Sequence, residues 1–221
     1  MRTFIDSQLL IGLLNPKDVF HDKAREIVKS KNVFLLEAVK KEVRGSFLRK
    51  YNQACIKILK IVNKIRLSDL KTPEEILEFA EKELEKLIRS DEKLENFYRF
   101  VFDLIKDKIT DKNKLIEIPT FLDDYGVELT TSISKLGKVV IVNIDEQKLK
   151  TRNEIYRIIQ DVDFKQFRDL EIFCEAVAHA LEEEAELLIG DKEFYEKALI
   201  ALDKLKQHGY DPKLKIEYIK P

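Results

Sequence analysis

Glu186-Leu187-Leu188-Ile189-Gly190-Asp191 is a short apolar run closed by a glycine and an acid. A run of this length between turn residues predicts a buried strand whose carboxyl end presents Asp191. The start of the chain repeats the arrangement in Thr3-Phe4-Ile5-Asp6. Val33-Phe34-Leu35-Leu36 reads as a further buried strand. Val139-Val140-Ile141-Val142-Asn143-Ile144 is the most strand-like run of all, and Leu214 to Ile219 alternates like an edge strand. Between these runs lie helical periodicities: Ser7 to Leu14, Asp18 to Val28, a helix opening at Val39 to Phe47, and Phe121 to Leu136 closed by Gly137. Glu146 to Gln160, Phe167 to Glu184, and Phe194 to His208 closed by Gly209 complete the series. Short buried strands alternating with helices predict an α/β fold, a parallel sheet with helices on both faces.

Working outward, the 221 residues suffice for one large domain at roughly 100–200 residues per domain. Forty basic and 41 acidic residues leave a net charge of -1, so overall charge advertises neither a nucleic acid nor a membrane as partner. Hydrophobic residues make up 44% and run through the whole chain, which excludes low-complexity disorder. Cys55 and Cys174 are too few for a disulfide framework or a thiolate zinc site, and both fall on apolar stripes. No apolar run approaches a membrane span, and the N-terminus lacks a basic lead. These features predict a soluble chain in the cytoplasm. Lys, Glu, Ile and Leu dominate, Met occurs once and Trp never, a bias that predicts a thermophilic source.

The middle of the chain departs from the α/β rhythm. Leu48, Tyr51, Cys55, Ile58, Leu59, Val62 and Ile65 recur at helical spacing. Thr72-Pro73-Glu74-Glu75 reads as a helix start. A second stripe then follows through Leu77, Ala80, Leu84, Leu87, Leu94, Tyr98, Val101 and Ile105, interrupted only at Asp91, where Ser90 offers a cap. Lys106 to Lys114 reads as a polar connector. The two stripes predict an antiparallel helical arm turning at Ser68 to Thr72, inserted into the α/β core.

In an open parallel sheet, ligands bind at the carboxyl ends of the strands, where strand order reverses. Asp6 and Asp191 end two strands at that edge, and they would lie side by side if their strands were neighbours. Buried carboxylates that close must be hydrogen-bonded, paired or metal-bound. Glu42, on the helix leaving the second strand, and Asp169, at the start of the helix feeding the Asp191 strand, are placed to join them. Singly, each has a plainer reading: turn aspartates at 6 and 191, a surface glutamate at 42, a helix-terminal acid at 169. Four acids on one rim favour an all-oxygen site for Mg²⁺ or Mn²⁺ rather than zinc. Without a cation, mutual repulsion should raise at least one of their pKa values.

At these residues the chain resembles the PIN-domain family of metal-dependent nucleases. Phe4-Ile5-Asp6-Ser7 resembles the first motif, His21-Asp22-Lys23-Ala24 the start of the next helix, and Val39-Lys40-Lys41-Glu42-Val43 the second acidic motif. Asp169-Leu170-Glu171-Ile172 with Glu175-Ala176 resembles the third, after the stretch ending Asp145-Glu146; Leu188 to Phe194 resembles the fourth. The resemblance implies a three-layer α/β/α fold with a central parallel sheet of about five short strands. It implies Asp6, Glu42, Asp169 and Asp191 as catalytic, metal-binding acids and Mg²⁺ or Mn²⁺ as cofactor. The implied function is endoribonuclease hydrolysis of RNA phosphodiester bonds, with homodimerisation and an antitoxin-like protein as further partners. Two positions depart from the pattern. Ile189 stands where members often have Thr, and the further acid after Asp191 is Glu193. The nuclease core is expected at 1–47 and 113–221 and the helical insertion at 48–112, within one domain of 1–221.

Other chemistries find no support in the sequence. His21, His179 and His208 form no metal-ligand spacing, and no nucleophile elbow or phosphate-cradling glycine loop occurs. From Lys40 to Arg66 the chain is basic apart from Glu42, and Lys41, Arg44, Arg49, Lys57, Lys60 and Lys64 are candidate substrate-binding residues along a phosphate backbone. The plainer reading is a lysine face paired with the acidic helix beside it. The rival function is a catalytically inactive PIN-like protein that binds RNA or serves as a scaffold.

Overall fold

The computed structural model describes residues 1–135, 139–142 and 144–221. The chain forms two compact units. One comprises Met1–Leu14, Val19–Arg44 and Ile133–Pro221; the other comprises Asn15–Asp18 and Gly45–Ser132.

The first unit is built on a five-stranded sheet of β1 (Arg2–Ile5), β2 (Val33–Leu36), β3 (Val140–Val142), β4 (Ala185–Ile189) and β5 (Leu214–Tyr218). The strand order is β3-β2-β1-β4-β5 and every pairing is parallel. The α/β class and the parallel sheet therefore match the reading of the sequence. All five residues of β4 are buried, as a strand covered on both faces requires. Its helices are α1 (Ser7–Leu14), α2 (His21–Ser30), the start of α3 (Glu37–Leu67), α7 (Glu146–Ile159), α8 (Phe167–Ala180) and α9 (Lys192–Gln207). From β1 the order runs outward to β2 on one side and to β4 on the other, so it reverses at the β1–β4 pair. Ile5 is in register with Leu188, which sets the residues after both strands side by side. The expected helix end at Gly137, with Leu136 and Asn143, lies outside the described residues.

The close approach of α1 to α2 depends on Gly12. A Cβ there would stand 2.8 Å from Phe20 Cβ. Gly209 has φ +83 and ends α9 in the left-handed conformation that glycine tolerates.

The second unit holds the rest of α3, then α4 (Pro73–Ser90), α5 (Glu95–Ile109) and, up to Ser132, α6 (Ile118–Lys135). Thr72 and Glu75 form a reciprocal capping box at the start of α4, and Pro73 occupies its first turn. Lys57, Lys60 and Lys64 of α3 line one groove with Glu83, Lys86 and Ser90 of α4, and Lys64 pairs with Glu83. Three details differ from the sequence reading. The core face of α4 carries Ile76 and Ile88 in place of Leu77 and Leu87, one position earlier and one later, around the shared Ala80 and Leu84. Asp91 marks the break as expected, but Ser90 caps no new helix: its hydroxyl donates to the Leu87 carbonyl and the N-cap of α5 is Leu94. Lys106 to Lys114 is not wholly a polar connector: α5 runs on to Ile109, which is buried.

Candidate active site

Asp6 follows β1 at the switch point and is almost fully buried. Its Oδ1 accepts the Leu9 amide at 2.8 Å. Its Oδ2 accepts the Gly190 amide at 2.8 Å and the Asp191 amide at 3.4 Å. The carboxylate thus fastens the ends of β1 and β4 together and holds the first turn of α1. Burial pushes Asp6 up to about 6; the three amides oppose that rise and Asp191 adds to it.

Asp191 follows β4 and is the N-cap of α9, its Oδ1 accepting the Glu193 and Phe194 amides at 2.8 and 3.0 Å. The plain reading of Asp191 as a turn acid is therefore realised, and Oδ2 carries no hydrogen bond among the described residues. Glu42 lies in the second turn of α3. It is half-buried rather than a surface glutamate, and accepts the Ser7 hydroxyl at 2.5 Å. The start of α3 is held in turn by Glu175 of α8, whose two oxygens accept the Glu37 and Ala38 amides at 2.7 and 2.9 Å. Glu175 reaches across 137 positions of sequence, so nothing local reveals this role.

Asp169 is the unusual member. A helix-terminal acid ordinarily caps its helix, but the N-cap of α8 is Gln166 and Asp169 bonds no amide among the described residues. It is half-buried, and the charges that weigh on it most are those of other acids. Burial and then the charges of Glu42, Asp191, Asp6 and Glu193 push it up to about 7. Asp169 thus feels all three other candidate acids and Glu193 as well. The nearby cation is Lys165, whose Nζ lies 3.0 Å from Glu193 Oε2 and which also senses Asp191 and Asp169. Neither Glu193's pairing nor Lys165 was legible from spacing.

An all-carboxylate donor set with an excess of negative charge is chemically suited to a hard divalent cation. The side chains do not close into a ligand shell: among the described residues, no group of three or more His, Cys, Asp or Glu is placed to hold a metal ion.

The candidate substrate-binding residues divide between the units. Lys41 and Arg44 are exposed on α3 in the first unit, Lys41 lying 3.8 Å from Glu37. Arg49, Lys57, Lys60 and Lys64 belong to the second. Lys64 is paired to Glu83 at 2.5 Å, and Lys86 shares that acid at the same distance. At Lys64 the lysine face is therefore matched by its acidic neighbour. No helix among the described residues is long and apolar enough to cross a membrane.

No protein-family model matches the sequence, and no curated protein matches it. Among solved structures, the chain is similar to VapBC2 from Rickettsia felis bound to a DNA fragment from their promoter. The two are 11% identical at a TM-score of 0.41, over 99% of this chain and 99% of that one. A likeness that distant bears on neither family nor activity.

Proposed function

We propose that the chain is a PIN-like, metal-dependent ribonuclease acting at the β1–β4 edge. The reading is carried by Asp169, a half-buried carboxyl that caps nothing and sits chiefly among other acids. Such an arrangement destabilises the empty fold, and a cation relieves it. Asp169, Glu42, Asp191 and Asp6 would hold Mg²⁺ or Mn²⁺. A bound divalent ion supplies Lewis acidity toward a phosphoryl oxygen and lowers the pKa of water.

The chain's own residues have distinct tasks in this reading. Asp6 keeps the two strand ends in register while contributing charge. Ser7 orients Glu42 through its hydroxyl, and Glu175 fixes the helix start that carries Glu42. Asp191 has one oxygen committed to α9 and offers the other to the site. Lys165 occupies part of the acidic field through Glu193. The rival, a non-catalytic RNA-binding or scaffold protein, draws on the absence of a closed ligand shell among the described residues.

Asp169→Asn is the decisive variant, because Asp6→Asn would also disturb three amide bonds. At pH 8 without metal, Asp169→Asn should melt higher than the parent, since it removes one of several like charges. A gain of about 1 kcal/mol corresponds to roughly 2–4 °C for a chain of this size. Mn²⁺ should raise the melting temperature of the parent, cleave a labelled single-stranded RNA, and do neither with the variant. A parent whose melting temperature ignores Mn²⁺ and which leaves RNA intact would sink the nuclease reading; RNA binding without cleavage would favour the rival.

A further inference from the structure

A cleft of about 300 Å³ opens between α7 and α8, away from the four acids. Arg152, Asn153 and Tyr156 line it from α7; Phe167, Glu171 and Cys174 line it from α8. Phe167 is 60% exposed and Tyr156 37%, and their rings meet edge to face at 6.2 Å. Two adjoining aromatic rings left in water are costly unless something covers them. Arg152, one helical turn before Tyr156, is half-buried; it makes no direct hydrogen bond or ion pair among the described residues, and its charge is felt by Glu175 and Cys174. Arg168 already neutralises Glu171, at 2.5 Å. The cleft therefore combines a guanidinium without a direct ion pair, two aromatic faces and the exposed amide of Asn153.

We propose that this cleft is a nucleobase subsite, which takes an unpaired base against Phe167 and Tyr156 and the adjoining phosphate on Arg152. Every base offers a flat π face, and stacking on exposed aromatic rings is the common way proteins hold single strands. Arginine supplies the complementary charge for the phosphate. In a duplex the base faces are covered by their neighbours, so the cleft selects single-stranded segments. Phe167 begins α8 two residues before Asp169, which places the two side chains about 200° apart around the helix. The base held here belongs to a nucleotide flanking the scissile phosphate, not to the one that carries it. As a substrate subsite the cleft rests on the nuclease reading; as a base-binding site it can be tested without it.

The test is fluorescence anisotropy in EDTA with fluorescein-labelled decaadenylate, its duplex with decauridylate, and an abasic strand of equal length. The parent should bind decaadenylate about tenfold more tightly than the abasic strand, in keeping with one stacked base. Phe167→Ala and Tyr156→Ala should each remove most of that difference, and Phe167→Trp should restore it. Arg152→Gln should weaken both single strands alike. Equal affinity of the parent for the two single strands, or an undiminished base preference in both alanine variants, overturns the proposal and leaves the cleft to a protein partner. A base preference that survives while Mn²⁺ yields no cleavage would support the subsite and count against the nuclease alone.

Discussion

His179 sits in the core of the first unit, 1% exposed, with its ring 5.5 Å from that of Phe4. Neither ring nitrogen has a hydrogen-bond partner among the described residues. Burial, helped by Lys148 and Arg2, lowers its pKa from 6.5 to about 4. Above pH 6.5 the ring is neutral in both states and this site is indifferent to pH. As pH falls from about 6.5 to about 4, the unfolded chain takes up a proton that the folded chain refuses, so stability is lost across that window. At 1.36 kcal/mol per unit the loss is about 3 kcal/mol. Asp6 and Asp169, both raised, contribute with the opposite sign: what they add at low pH disappears as pH rises toward their folded values. Subtracting a His179→Leu variant from the parent at each pH isolates the histidine. Urea unfolding should show the parent losing about 3 kcal/mol relative to the variant between pH 7 and pH 4. A constant difference would mean that the ring finds a partner or is wetted. At this scale the sequence was informative about identity and poor on partnership. Position alone nominated Asp6 and Asp191, yet Asp6 is engaged by amides of the distant Gly190–Asp191 segment and Asp191 by those of its own helix start. Asp169, which the capping reading discounted most easily, is the one left facing only charge.

Among the elements, α1 connects the candidate site to the packing beneath it, since its first residue, Ser7, holds Glu42. Its pairing with α2 relies on Gly12, where an added Cβ would meet Phe20 Cβ at 2.8 Å and the Phe20 carbonyl carbon at 3.1 Å. Alanine in a helix interior ordinarily gains about 1 kcal/mol over glycine. Here overpacking against backbone opposes that gain, and forced shifts of this kind cost about 1–3 kcal/mol. Gly12→Ala should therefore destabilise the protein, as chemical denaturation can measure, whereas a helix-propensity effect alone predicts the reverse. Elements with strong local signals were legible. The helix start at Thr72 and Pro73 lies where its residues require, and the short apolar runs are the strands. Boundaries set by tertiary contact were not. Asp18 to Phe20 read as the opening of the next helix, yet α2 begins only at His21. The α4 stripe moves from Leu77 and Leu87 to Ile76 and Ile88 because periodicity alone cannot choose between adjacent leucine and isoleucine positions.

On the scale of the whole molecule, a near-neutral net charge conceals an uneven distribution. Basic residues run along α3 from Lys40 to Arg66, while Glu74 and Glu75 open α4 and further acids follow along it. Sequence alone left two accounts of the α3 lysines, a phosphate track or a face neutralised by α4. The structure separates them residue by residue. Lys64 and Lys86 share Glu83, whereas Lys57 and Lys60 have no ion pair among the described residues. Reversing Lys64 would set two acids against each other within the helical unit and confuse binding with stability. Lys57→Glu/Lys60→Glu avoids that, because both side chains are exposed and uncommitted. If this face neutralises phosphates, each lost contact should reduce the slope of log K against log salt by about 0.7 for a single strand, or about 1.4 for the pair. RNA affinity at low salt should fall accordingly, with melting temperature and Mn²⁺ response unchanged. The same experiment with Arg152→Gln should remove about 0.7 of slope, so that the helical unit and the α7–α8 cleft are each assigned their share of the phosphate contacts. Lysine variants that keep the parent slope would assign the face to solvation alone, and the binding surface would then be confined to the unit that carries the four acids.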